Sequence, residues 1–219
     1  MVEDRARLHA AMADPTRVRV VDLLATSDAS VSEVGARLGV PSNLLAHHLR
    51  VLEEAGLLTR LRSEGDGRRT YLSLDAARAS LVNAGVGPAV VQARRVLFVC
   101  TANTARSHLA AAIWRRASAV EVASAGTDPG QRVHPAAISV ARRHDLEVPD
   151  VAPRLLDDTR REDDLVVTVC DRAHEELHVQ SWAHWSVADP VSGGRAAFER
   201  AYAALDARVR VLAPAVVPA

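Results

Sequence analysis

In VLFVCTANTARSHLAAAIW, residues 96–114, a cysteine is followed six positions later by an arginine and then a serine. Cys100 closes a continuous apolar run of strand length, as a strand buried on both faces requires. From Ser107 the residues LAAAIWRRA are strongly helix-forming. The intervening residues Thr101, Ala102, Asn103, Thr104 and Ala105 are then a loop between a strand end and a helix N-terminus. There, inward-pointing backbone N–H groups and the helix dipole can cradle an anion. Arg106 adds a planar fork that grips two oxygens of a tetrahedral anion. The same positive surroundings favour thiolate over thiol, which makes Cys100 a nucleophile. Ser107 can give that sulfur a further hydrogen bond, and Asn103 ties the loop into shape. A lone cysteine after a strand reads as structural. The Cys-x5-Arg-Ser frame on strand, loop and helix reads instead as an oxyanion site.

The elements that must carry this loop follow from the patterning. After residue 95 the apolar runs VLFV, VEVAS and LVVTV alternate with amphipathic helical stretches, which marks an α/β domain with a parallel sheet. Before it come short helices and a hairpin. Gly and Pro interrupt the pattern in NAGVGPAVVQAR. The expected organisation is a mainly α domain over 1–85, a linker over 86–94 and an α/β domain over 95–219. No internal repeat or low-complexity tract is present.

The stretch SVSEVGARLGVPSNLLAHHLRVLEEAGLL carries two helices and a turn. Ser30 with Glu33 fits a capping box. Gly39-Val40-Pro41 breaks the chain, and Leu45, Leu49 and Leu52 form one buried stripe on a helix from about Ser42. Gly56 suits a left-handed helix end. LLTRLRSEGDGRRTYLSL then reads as two strands around a Gly-Asp-Gly turn. Helix, turn, helix and hairpin make a winged helix-turn-helix. Its second helix would present Ser42, Asn43, Ala46 and His47 to the major groove of a double-stranded operator. Arg50 and the wing residues Arg60, Arg62, Arg68 and Arg69 would neutralise phosphates.

Across roughly residues 5–80 the chain resembles the ArsR/SmtB-type arsenic-repressor family, through MADPTRVRVVDLL, HHLRVLEEAGLL and RRTYLSL. The resemblance implies a homodimeric repressor whose first helix and last helix (about Asp75–Asn83) form the dimer contact. Repressors of this type that sense soft metals use cysteine pairs. Residues 1–99 hold no cysteine, and their histidines are His9, His47 and His48. No metal site is expected, and any switch would lie elsewhere in the chain.

From about Arg95 to Val211 the chain resembles the low-molecular-weight protein tyrosine phosphatase fold, which also houses a class of arsenate reductases. Besides the Cys100 loop, VASAGTDPGQRVHPAAISVARRHDL, DDLVVTVCDRAHEEL and HWSVADP carry the likeness. It implies that Asp189, followed by Pro190, protonates the leaving oxygen. Glycine is usual where this chain has Ala102, and a positive φ there would cost alanine about 1 kcal/mol or more.

The phosphatases typically place tyrosines after the Asp-Pro pair, whereas Val191-Ser192-Gly193-Gly194 stands here. Trp114, Trp182 and Trp185 remain as candidate cleft walls. A small inorganic anion fits better than phosphotyrosine. LVVTV ends near Cys170 as VLFV ends at Cys100, so two strands could deliver both sulfurs to one sheet edge. The resemblance to thioredoxin-linked reductases implies that Cys170 is a resolving thiol. The next thiol of their relay would fall at Leu177, so the three-cysteine relay cannot run here. Either a Cys100–Cys170 disulfide forms, or an external thiol resolves the adduct. No bound cofactor is expected, only a low-molecular-weight thiol or redoxin (mycothiol with mycoredoxin, or thioredoxin). The alternatives are a tyrosine phosphatase and an oxyanion or arsenite sensor that controls DNA binding with little turnover.

Composition limits the rest. The 219 residues suffice for two domains, and the charge balances at 27 basic against 27 acidic residues. The balance holds in each half, with 11 against 11 in residues 1–90, so DNA binding must rest on local arginine placement. Two cysteines make no disulfide framework, and no run reaches the ~18 apolar residues of a membrane span. A cytoplasmic protein with no membrane partner is expected.

Overall fold

The computed structural model describes residues 2–82, 89–148, 151–177 and 181–219; no helix among them is long and apolar enough to cross a membrane. The chain folds as two compact units, each with its own apolar core.

The N-terminal unit opens with α1 (Val2–Met12) and α2 (Pro15–Leu24). Asp14 caps α2 by accepting from the backbone N–H groups of Thr16 and Arg17, and Pro15 supplies a helical φ at the first position. Strand β1 (Ala29–Ser30) leads into α3 (Val31–Leu38) through the expected capping box. Ser30 Oγ accepts from Glu33 N, and Glu33 Oε2 accepts from Ser30 N at 2.7 Å. Gly39 ends α3 at φ 64°, a conformation that costs glycine nothing. Helix α4 (Ser42–Glu54) follows and buries Leu45, Leu49 and Leu52 with His48. Then come β2 (Leu58–Arg62), β3 (Thr70–Leu74) and α5 (Ala76–Ala79). The strands pair antiparallel in the order β1-β3-β2. Leu8, Val20, Leu24, Val34, Leu57 and Leu72 complete the core. Of the last helix expected near Asp75–Asn83, the observed part is one turn capped by Asp75; Asn83 lies outside the described residues.

The C-terminal unit runs β4 (Val91–Ala93), β5 (Arg95–Cys100), α6 (Arg106–Ala117), β6 (Glu121–Gly126), α7 (Pro135–Arg143), α8 (Leu156–Thr159), β7 (Asp164–Thr168), α9 (Asp171–Glu176), β8 (Ala183–His184), α10 (Gly194–Leu212) and β9 (Val216–Pro218). The main sheet is parallel throughout, in the order β6-β5-β7-β8. All six residues of β5 are buried, as its apolar run demands. Arg95 is tolerated there because Asp164 takes its guanidinium on both oxygens at 2.6 Å. The segment expected as linker needs correction. Within 86–94, Val91–Ala93 is a strand paired in parallel with Val216–Pro218, since its alternating apolar residues find an unpaired edge at the chain's end.

The strand order decides where a ligand can sit. From β5 the chain passes to β6 on one side, and later to β7 on the other. The crevice outside the carboxyl ends of β5 and β7 is therefore a topological switch point, where open α/β sheets bind their ligands.

Candidate active site

Cys100 is the last residue of β5, and Cys170 follows β7 by two residues. Val169 N donates to Val99 O at 2.8 Å, which extends the pairing of the two strands to the point where both sulfurs lie. The two cysteines line the same cleft with Thr101, Ala102, Thr104, Ala105, Arg106 and Asp189.

The loop is held by its carbonyls. Cys100, Thr101, Ala102 and Thr104 accept from the backbone N–H groups of Thr127, Asp128, Gly130 and His134 at 2.8–3.2 Å. No hydrogen bond from the backbone N–H groups of residues 101–105 is present among the described residues. With the carbonyls turned out and α6 beginning at Arg106, the free N–H groups are left for an anionic guest. The left-handed residue of the loop is Asn103, at φ 50°, and not Ala102. Asparagine tolerates that region because its short side chain bonds locally, so the alanine carries no such penalty.

Asn103 and Ser107 were expected among the anion-binding residues; both are fully buried and lie outside the lining of the cleft. Asn103 Oδ1 accepts from Arg154 N at 2.9 Å, and Asn103 Nδ2 donates to Ser107 Oγ at 2.8 Å. Ser107 Oγ stands 3.1 Å from Cys100 Sγ. With its oxygen accepting from Asn103, the Ser107 hydroxyl proton is free to point at the sulfur.

Arg106 is buried, and its Nη1 donates to Val187 O at 2.8 Å while Nη2 reaches Asp189 Oδ2 at 3.1 Å. Burial works to lower its pKa, but the negative charges of Cys170, Cys100 and Asp189 outweigh it and the pKa stands above the ordinary value. Asp189 is half-exposed, and its other oxygen accepts from Val191 N at 3.1 Å. The carboxyl group is thus aimed at the cleft by both neighbours.

The cysteine after β7 is buried, as Cys100 is. Cys170 has Thr101 Oγ1 at 3.5 Å from its sulfur. Burial pushes its pKa up, the charge of Cys100 adds to that, and Arg106 opposes both.

The expected tryptophan walls are absent from the cleft. Trp114 and Trp185 sandwich Phe98 in the core with ring centroids 5.9 and 5.5 Å away, and Trp182 packs against the same core. A bulky apolar ring is worth more buried behind the central strand than at a wet mouth. Arg172 and Val191 stand at the mouth instead.

Residues 95–218 match the family model described as low molecular weight phosphotyrosine protein phosphatase. The chain belongs to this family. Residues 12–60 match a helix-turn-helix domain. A search of curated proteins finds no match. Similar solved structures include an arsenate reductase from Archaeoglobus fulgidus, 28% identical over 54% of this chain and 98% of the other, with TM-score 0.49. A YwlE mutant from Bacillus subtilis is 22% identical over 56% and 97%, with TM-score 0.50. A low molecular weight protein tyrosine phosphatase from T. tengcongensis is 23% identical over 55% and 97%, with TM-score 0.49.

Within this phosphatase-family unit, one cluster escaped sequence reasoning. Thr168 Oγ1 lies 3.1 Å from His174 Nδ1 and 2.9 Å from His184 Nδ1, and the two rings stack at 4.0 Å. His184 Nε2 reaches Asp171 Oδ1 at 3.1 Å. The cluster braces the β7–α9 turn that carries Cys170. Its only sequence signal was a histidine in each of two successive elements, α9 and β8.

In the helix-turn-helix unit, Ser42, Asn43, Ala46, His47 and Arg50 are all exposed on α4. Arg62, Arg68 and Arg69 are exposed on the hairpin; Arg60 is paired with Glu53 at 2.6 Å.

Proposed function

We propose that the protein is a DNA-binding regulator of the arsenic-repressor type joined to a thiol-dependent arsenate reductase. The observation that carries the enzymatic reading is the second thiol, Cys170, at the end of the strand beside Cys100 and in the same cleft. A phosphatase needs one nucleophilic sulfur, whereas reduction needs two thiols in sequence.

In this reading the Cys100 thiolate attacks the arsenic of arsenate, which lies on the loop N–H groups and the Arg106 fork. Asp189 protonates the departing hydroxyl oxygen as water leaves, and an S–As(V) adduct forms. Cys170 then attacks Cys100 Sγ. The S–As bond breaks, its electron pair stays on arsenic, and arsenite leaves as As(III). The two sulfurs end as a disulfide, having supplied the two electrons. Once Cys100 is bonded to arsenic its negative charge is gone, and with it one of the causes that hold the Cys170 proton on. Ionisation of Cys170 is therefore easier after the first step than before it, although burial still opposes it. With two cysteines in the chain, an external thiol or redoxin must reduce the disulfide.

Hydrolysis of aryl phosphates is the second reading, favoured by the Arg106–Asp189 pair, which suits either tetrahedral anion. One purified sample decides between them: arsenate-dependent thiol oxidation is measured beside aryl phosphate hydrolysis. Reductase activity lost in Cys170→Ser, with hydrolysis retained, supports the reductase. Rapid hydrolysis that dies in Cys100→Ser, with no arsenate-dependent thiol oxidation, makes the protein a phosphatase.

For the N-terminal unit the reading is operator binding as a homodimer through α1 and α5, with the exposed α4 residues reading bases. The absence of cysteine before residue 100 supports an inducer signal that originates at the oxyanion site rather than in a metal site of the repressor. Arsenate or arsenite should release operator DNA from the wild-type protein and not from Cys100→Ser. Equal release from both would remove that link.

A further inference from the structure

A second cavity of about 290 Å³ lies in the C-terminal unit, and of the Cys100 loop it touches Asn103 alone. His108 and Arg115, two turns apart on one face of α6, enter it from one side; Arg154 and Arg161 enter from loops. His108 is 3% exposed, and its Nε2 has no hydrogen-bond partner. The Asn103 carbonyl lies beside the ring and favours a proton on the other nitrogen, and in that neutral tautomer Nε2 is a bare acceptor. Arg161 is matched by Glu121 at 3.1 Å. Arg115 and Arg154 have no acidic side-chain partner among the described residues.

A buried acceptor beside two unmatched guanidinium groups asks for two things at once: a proton donor and negative oxygens. Water supplies only the first, and sulfate at neutral pH only the second. We propose that this cavity binds a tetrahedral oxyanion that keeps a hydroxyl, namely hydrogen phosphate or hydrogen arsenate. Its O–H donates to His108 Nε2, and its charged oxygens accept from Arg115 and Arg154. The bound anion sits against Arg154, whose backbone N–H holds Asn103, and so it bears on the loop from behind Cys100. The site is separate from the catalytic reading and stands or falls without it.

The test uses the full chain carrying Arg106→Ala, which removes the grip of the catalytic loop, titrated with inorganic phosphate by calorimetry at pH 7.5. One phosphate site is expected to remain. Adding Arg115→Ala and Arg154→Ala, at exposed positions that do not threaten folding, should weaken it at least tenfold, as should His108→Phe. Sulfate should bind at least tenfold more weakly than phosphate. No residual phosphate binding, binding indifferent to the two arginines, or sulfate binding as tightly as phosphate would each overturn the proposal.

Discussion

Asn103 donates to Ser107 Oγ at 2.8 Å, and that single bond sets the direction in which the serine hydroxyl proton points. Cys100 Sγ is the acceptor in reach, at 3.1 Å. The pair joins the one left-handed residue of the loop to the reacting sulfur. Ser107→Ala should leave the fold intact and lower turnover by about 10–100-fold, the scale of one hydrogen bond to a charged atom. An unchanged rate at saturating substrate would show that the serine has no part in setting the thiolate.

The loop also depends on a glycine outside it. A Cβ on Gly126 would collide with the Thr101 carbonyl oxygen and come within 3.0 Å of Asn103 N and Cβ. Backbone cannot swing aside as a flexible side chain does. Gly126→Ala should therefore cost about 1–3 kcal/mol of stability and displace the cradle, with activity falling further than the melting temperature suggests. Thermal melts beside turnover measurements check it.

Asp189 and Cys170 should separate cleanly by substitution. Asp189→Asn removes the proton donor and should slow both arsenate reduction and aryl phosphate hydrolysis by about 10²–10⁴-fold, least for substrates with good leaving groups. Cys170→Ser should abolish reduction alone. Equal loss of both activities in Cys170→Ser would mean that the thiol is structural.

His108 makes acid stability titratable. Burial, joined by the charges of Arg115 and Arg154 and opposed by the bond to the Asn103 carbonyl, holds its pKa down to about 4 against 6.5 for the free side chain. A folded value below the unfolded one means that its contribution is complete above pH 6.5 and is lost as pH falls toward 4. The loss amounts to at most about 3 kcal/mol. Melts of the full chain in phosphate-free buffer should show Tm falling across that window, and His108→Leu should flatten the fall.

In the N-terminal unit, base reading and phosphate contact should part company. Asn43→Ala should cost about 1–3 kcal/mol on operator DNA and little on random DNA. Arg68→Ala should weaken both alike and lower the salt dependence by about one counterion. Gel-shift titrations at several salt concentrations measure both.

The elements were legible because their causes are local. The capping box of Ser30 and Glu33, the left-handed glycines 39 and 56, the buried leucine stripe of α4 and the wholly buried β5 follow from neighbours within a few residues. So does the Cys-x5-Arg-Ser loop, which needs only a strand before it and a helix after. The sequence could suggest that Cys100 and Cys170 share an edge, but that depended on β7 pairing with β5, a contact between segments 69 residues apart. Tertiary packing alone took Trp114 and Trp185 into the core, turned Asn103 and Ser107 behind the cleft, and drew Thr168, Asp171, His174 and His184 together. It also placed His108 on the wall of a second cavity with its Nε2 unpartnered. Periodicity and capping record what a residue does to its own turn. Which side chains meet across a sheet is fixed by strand order, and strand order is chosen by the core as a whole.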